Sequence, residues 1–311
     1  MDTAIAINNV KDDTTAYNLE QFLSRFLKNL DISPDTECMY KHCIIHFFKW
    51  LVEGHLQQPL KEHIIQYKQT FKDKSLNTQN LHLSAVRQFF KWLELEGIYK
   101  DITKGIKIRG IRQADAGHIR MPLTKEQARQ LLDGIDTSSI IGLRDYAIIN
   151  IKLHTGLRDI ELRRANVKDL DEKQERTILY IQRKGHTHKD NFIILNATTL
   201  QPLQDYLGYR GSSDKDSPLF ITHGLRSCNN RMSRILLAYI MKKRLTEAGL
   251  KSKYIVGHSL RHTFATIALE NGVKIEDIQT AMGHQSINTT LRYIKGRDRM
   301  TNPVEDRINF N

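Results

Sequence analysis

Apolar residues return every third and fourth position through most of this chain, and that period predicts a mainly helical protein. Leu19, Phe22, Leu23, Phe26, Leu27 and Leu30 form the first stripe. Ser33-Pro34 opens a second helix: a hydroxyl accepts from the first turn, and the proline sits where no N–H is needed. That helix carries Phe47, Phe48 and Leu51 and stops at Gly54. A third helix covers Leu60 to Phe71, and a fourth runs from Asn77 to Glu96. The fourth has Leu81, Val86, Phe89, Phe90 and Leu93 as its stripe and Gly97 as its stop. Four helices on short connections make a bundle, and its aromatics sit at core spacing.

Between Tyr99 and Pro122 the period fails, and Lys100, Lys104, Lys107, Arg109, Arg112 and Arg120 alternate with Gly105, Gly110 and Gly117. This reads as an extended basic linker. Beyond it, Thr124 caps a helix through Leu132, and another helix spans Leu143 to His154. Thr155-Gly156-Leu157-Arg158 breaks the chain before a helix with Glu161 and Leu162. Thr177 to Gln182 and Asn191 to Leu195 read as two strands of a hairpin, joined by a basic turn with Gly185.

From there a helix is expected over Ser227 to Ala248, and the remainder reads as helical. The helix after His258 turns Leu260, Phe264, Ile267 and Ala268 to a core and stops at Asn271-Gly272. The next, Lys274 to Met282, ends at Gly283, and a last short helix from Ser286 carries Ile287, Leu291 and Ile294 inward with Tyr293 beside them. The expected organisation is a 1–15 extension, a 16–107 helical domain, a 108–122 basic linker, a 123–296 second domain and a 297–311 tail. The fold class is mainly α with a small antiparallel sheet.

Composition narrows the class. With 311 residues and 40% hydrophobic content, the chain is long enough for two soluble domains with separate cores. Forty-seven Lys and Arg against 35 Asp and Glu leave +12, which suits a polyanionic partner as well as a merely basic surface. No segment approaches the roughly 20 apolar residues of a membrane span, and Met1 to Asp13 lacks a leader pattern, so the cytoplasm is expected. Cys38, Cys43 and Cys228 lack a Cys-x-x-Cys spacing and read as reduced packing residues. Lys72, Lys74, Arg87 and Lys91 fall off the apolar stripes, where they either meet phosphates or keep the surface wet.

The chemistry gathers late in the chain. His258, Arg261 and His262 lie one turn apart at a helix start, followed by Gly283-His284 and then Tyr293. Arginine binds two phosphate oxygens in a fork and keeps its charge, imidazoles position protons, and a phenol can attack once cations help it ionise. Any one of these residues is ordinary at a helix end. Together they supply what phosphodiester cleavage by a phenol requires: cations for the transition state and a proton donor for the leaving oxygen.

These residues carry a resemblance to the tyrosine recombinases, the phage-integrase family with its Xer- and Cre-like two-domain site-specific recombinases, over Leu19 to Lys295. The family's Thr-Gly-Leu-Arg-x-x-Glu-Leu stretch stands as Thr155 to Leu162, and a hairpin lysine, His-x-Leu-Arg-His, Gly-His and a tyrosine follow in order. The resemblance implies that Arg158 and Arg261 clamp the scissile phosphate, Lys184 protonates the leaving oxygen, Tyr293 attacks, and His258 and His284 hydrogen-bond the phosphate or position the proton. His262 and Glu161 support the site. The family hairpin often reads Gly-Lys-Gly with a second Lys beyond; Arg183-Lys184-Gly185 departs from it, and Lys189 is the second candidate.

The bundle resembles the family's SAM-like core-binding domain, through Ser75-x-x-Thr78, Leu83, Arg87, Phe89 and Phe90. On that likeness Lys74, Arg87, Lys91, Lys107 and Arg109 are candidate DNA contacts, and the second domain is a tyrosine-recombinase catalytic domain. The resemblance implies a 3'-phosphotyrosyl intermediate serving integration, excision or resolution of a mobile element or replicon. Its partners are a double-stranded DNA recombination site, a homo-tetramer on paired sites with the tail docked on a neighbour, and accessory DNA-bending proteins. No cofactor or metal is expected: the covalent link conserves the bond energy, no phosphate-binding Gly-x-x-x-x-Gly-Lys-Ser/Thr loop is present, and Asp145, Asp159 and Glu161 read as caps and ion-pair partners. A type IB topoisomerase and a non-catalytic DNA-binding protein on the same fold are the two other readings.

Overall fold

The computed structural model describes residues 13–56, 58–107, 120–211, 214–224 and 227–294, without the side chains of 13–18, 227 and 292–294. The extension's first twelve residues, Arg109 with most of the linker, and the 297–311 tail expected to dock on a neighbour lie outside the described residues. The chain divides into two compact units, Met1–Gly117 and His118–Asn311.

In the first unit, α1 (Asp13–Lys28), α2 (Pro34–Glu53), α3 (Lys61–Gln69) and α4 (Leu76–Leu95) follow the apolar stripes, with α1 starting inside the segment expected to be an extension. Ser33 and Ser75 cap α2 and α4 by accepting from the N–H of Thr36 and Thr78. The core is aromatic: Phe26, Phe47, Phe48, Phe89 and Phe90 are buried together, with Phe26 edge-on to Phe89 at 5.3 Å. Lys74, Lys91 and Lys107 are exposed. Arg87 is engaged locally, donating to the Ile106 carbonyl.

The second unit opens with α5 (Lys125–Asp133), whose Thr124 cap and Gln127 exchange hydrogen bonds of 3.2 and 3.0 Å. Then come α6 (Ile140–Thr155), α7 (Asp159–Arg164), a short 3-10 turn at Val167–Asp169, and an antiparallel sheet of β1 (Leu170–Lys173), β2 (Arg176–Ile181) and β3 (Asn191–Leu195) in that order. Leu179 pairs with Ile193 and Thr177 with Leu195, so Leu179, Ile181, Ile193 and Leu195 face the core. After α8 (Ala197–Arg210), β4 (Ile221–Gly224) pairs with β5 (Ser227–Arg231), and α9 (Arg234–Glu247), α10 (Ser259–Glu270), α11 (Ile275–Met282) and α12 (Ile287–Ile294) complete the described chain.

Five features depart from expectation. The helix expected from Ser227 begins at Arg234, where Ser233 accepts from the Leu236 N–H; Ser227–Arg231 is a strand instead. The sheet gains β1, and α8 had no counterpart in the sequence reading. Only Cys43 is a packing cysteine, because Cys38 and Cys228 are exposed. Ile287 is exposed, and Thr290 is fully buried on α12.

Candidate active site

Two glycine breaks in the backbone bring the arginines together. Gly156 ends α6 in the left-handed region at φ 64°, which turns Arg158 back as the cap residue of α7. A Cβ at Gly156 would stand 2.5 Å from the Phe264 ring on α10, so this turn also sets how closely α10 approaches. Gly283 ends α11 in the same way at φ 61° and leaves the last α11 carbonyls open.

Both arginines use those carbonyls. Arg261, 1% exposed, donates from Nη2 to the Met282 carbonyl at 2.7 Å and from Nη1 to the Gly156 carbonyl. Arg158 donates from Nη1 to the same Met282 carbonyl at 3.3 Å and from Nη2 to the Gly283 carbonyl at 3.4 Å. The negative end of the α11 dipole thus holds two guanidiniums on one point.

Glu161, fully buried, aims Arg158. Its carboxylate accepts from the Arg158 backbone N–H and from Nη1, each at 2.9 Å. Its second oxygen lies 3.7 Å from Nη1 of Arg183, which donates through Nη2 to the Ala281 carbonyl at 2.9 Å. Arg158 and Arg183 thus flank one carboxylate, while Arg158 and Arg261, which share the Met282 carbonyl, present the positive charge that suits a phosphodiester.

The imidazoles are held neutral. Arg261 Nη2 donates to His284 Nε2 at 2.8 Å, which leaves Nδ1 to donate to Thr290 Oγ1 at 2.8 Å and assigns the tautomer. Burial first, then Arg261, Arg158 and Arg183, draws His284 down to about 3. His258 keeps an exposed face, yet desolvation, Lys152 and Arg261 draw it down to about 4. His262 lies edge-on to His258 at 5.5 Å, and burial followed by the charge of His258 draws it to about 3.

Lys184 stands at the second position of a tight turn between β2 and β3. The His186 N–H donates to the Arg183 carbonyl at 3.1 Å, and Gly185 takes the positive φ of 88° that the third position requires. Lys184 is exposed, and among the described residues it makes no ion pair. Lys189, by contrast, is paired with the buried Asp169. Tyr293 lies in the last turn of α12, and its side chain is outside the described residues. Among the described residues no three His, Cys, Asp or Glu side chains gather as metal ligands would.

Two contributors escaped the sequence reading. Arg183 reads in the sequence as one residue of a basic turn, yet it is 6% exposed. Lys152 sits on an otherwise apolar stretch of α6 and is buried, paired with Asp159 and donating to the Leu157 carbonyl at 3.3 Å. Burial alone would favour the protonated form of Asp159; the Lys152 charge outweighs it and holds the carboxyl below its ordinary range. A lysine inside an apolar run was the available signal for this pair. Asp145 is likewise paired, with Arg144 at 2.7 Å and Arg244 at 2.8 Å.

Residues 122–300 match the phage integrase family, and residues 19–97 match the phage integrase N-terminal SAM-like domain. The chain is similar to the tyrosine recombinase XerA of Thermococcus onnurineus, at 30% identity over 263 residues, 85% of this chain and 85% of that protein. Against the tyrosine recombinase XerC of Caldanaerobacter subterraneus subsp. tengcongensis it is 29% identical over 307 residues, 88% of this chain and 82% of that one. A solved post-cleavage complex of the XerH site-specific recombinase on palindromic difH substrate shares the fold, with a TM-score of 0.70 and 20% identity over 87% of this chain and 79% of the other.

Proposed function

The chain belongs to the phage integrase family of tyrosine recombinases, and on that premise we propose that it cuts and rejoins duplex DNA at a specific site through a tyrosine-linked intermediate. The convergence of Arg158 and Arg261 on the Met282 carbonyl, with neutral His284 against Arg261, carries this reading. A scissile phosphate that takes the place of the long Arg158 carbonyl contacts, beside the tightly held Arg261, gains charge-assisted hydrogen bonds from guanidiniums already aimed at one point.

In the reaction the Tyr293 oxygen bonds to phosphorus and the P–O5' bond breaks. The departing O5' takes a proton from Lys184, and the phenol proton passes to His258 or water. Arg158 and Arg261 balance the charge on the five-coordinate phosphorus. The 5'-hydroxyl of a partner strand then attacks the 3'-phosphotyrosine and restores a phosphodiester, so no nucleotide is consumed. The ion pair of Lys189 with Asp169 favours Lys184 as the acid. The basic residues Lys74, Arg87, Lys91, Lys107 and Arg109 belong to the DNA-contact surface in this reading, which makes 16–107 the core-binding domain, 108–122 the linker and 123–296 the catalytic domain.

Exchange between two duplexes needs four active sites, so the reading includes a homo-tetramer on paired sites, accessory DNA-bending proteins and a cytoplasmic place of action. No described helix is long and apolar enough to cross a membrane. The test uses a duplex selected by binding from random DNA, placed twice in one plasmid. Two separate circles are the expected product. Relaxation of plasmids lacking the selected duplex would indicate a topoisomerase, and binding without breakage a DNA-binding protein.

A further inference from the structure

We infer that Arg183 is a positioning residue for strand cleavage: it ties the turn that carries Lys184 to the end of α11, so that proton donor and phosphate clamp keep one geometry. The inference rests on the reading of Lys184 as the proton donor.

The connection is continuous in the structure. Lys184 follows Arg183 directly in a turn closed by the His186 N–H on the Arg183 carbonyl, and Gln182 braces the far side by donating to the His186 and Thr187 carbonyls at 2.7 and 3.2 Å. Exposed turns of this kind swing about their strand ends. Here the first turn residue sends its side chain inward instead. The guanidinium donates to Ala281, lies 3.7 Å from Glu161, and occupies the space above Gly283, where a Cβ would stand 2.7 Å from its Cζ. Glu161 is also the group that aims Arg158, and Met282, between Ala281 and Gly283, is the shared acceptor of the two clamp arginines. One buried cation therefore touches the supports of the clamp while its backbone sets the root of Lys184.

That arrangement costs something that a passive surface arginine would not cost. Arg183 Nε is buried, with no hydrogen-bond partner among the described residues. Desolvation also draws the guanidinium below its ordinary range. A glycine or a solvated side chain would leave Lys184 on a looser turn.

The experiment compares cleavage of a plain duplex with one carrying sulfur in place of the bridging O5'. Sulfur leaves with the electron pair as a thiolate and needs no proton, so a defect confined to proton delivery disappears on that substrate. Lys184→Ala defines the pattern: slow on oxygen, restored on sulfur. Arg183→Met is expected to follow it, losing on the order of 10²-fold on oxygen and staying within about threefold of wild type on sulfur. Filter binding is expected to give an unchanged Kd. Arg183→Lys, which reaches Glu161 or Ala281 but not both, falls between, and carries the comparison if the Met variant does not fold. Equal loss on both substrates, or a wild-type rate on oxygen, overturns the inference while Lys184 stands. Failure of sulfur to restore Lys184→Ala overturns the reading of Lys184, and the inference with it.

Discussion

Replacing Glu161 by Gln keeps the volume of a buried side chain and removes the carboxylate that Arg158 and Arg183 share. The Arg158 backbone N–H and Nη1 each donate to a different carboxylate oxygen at 2.9 Å, and the amide has one oxygen to offer, so its NH₂ must face a donor. Breaking a buried charge pair from one side costs about 3–5 kcal/mol. Arg158 keeps 24% of its side chain in water, which brings the expected loss down to about 2–3 kcal/mol. With a urea slope of roughly 2 kcal/mol/M the midpoint falls by about 1–1.5 M. Urea unfolding of the full chain, followed by circular dichroism and fluorescence together, reads this directly. Cleavage should fall on oxygen- and sulfur-linked substrates alike, because Arg158 loses its aim. A stability change below about 0.5 kcal/mol, with the urea slope unaltered, would refute the claim that Glu161 holds the cluster.

Acid should weaken the second unit through its imidazoles. His262 and His284 sit near 3 in the folded state against 6.5 when unfolded, so the unfolded chain binds more protons between those values and stability falls as pH drops through that window. Above 6.5 their contribution is flat; His262→Asn should shrink the stability difference between pH 7 and pH 5, and an unchanged difference would contradict the assignment. Gly156→Ala forces a side chain into the left-handed region and against Phe264, for an expected loss of about 2–4 kcal/mol, read as a lower Tm. An unaltered Tm would show that α10 moves aside freely. In native protein a thiol reagent should label Cys38 and Cys228 rapidly and Cys43 slowly, since burial both shields that thiol and pushes it up to about 11; equal rates would contradict its burial.

The helices were legible wherever burial is one-sided. Ser33-Pro34 and Thr124 announced starts that the backbone uses, and Gly156 and Gly283 announced ends; the fourth helix, expected from Asn77, starts at Leu76 behind the Ser75 cap. The β4–β5 pair was not legible, because Ser227–Arg231 is mostly polar, with Cys228 alone to break the run, and shows no alternation to read. Neither was α8, whose stripe is interrupted by Pro202. In the site, the order of Arg158, Lys184, His258, Arg261, His284 and Tyr293 was visible because each motif is local. The inward turn of Arg183 was not, since its partner Ala281 lies 98 residues away and an arginine beside a lysine ordinarily signals a wet surface. Lys152 and Asp159 show the same limit: the partner of a buried lysine is specified by who is opposite in space.

The central claim is that Tyr293 attacks the phosphate. Its most direct test is a suicide duplex, nicked beside the cleavage position so that the released strand diffuses away, incubated with wild type and Tyr293→Phe and resolved under denaturing conditions. Wild type should form a protein–DNA adduct whose digested peptide carries the nucleotide on Tyr293, and the variant should form none at unchanged DNA affinity. An adduct that survives in Tyr293→Phe, or a nucleotide mapped to another side chain, would contradict the account.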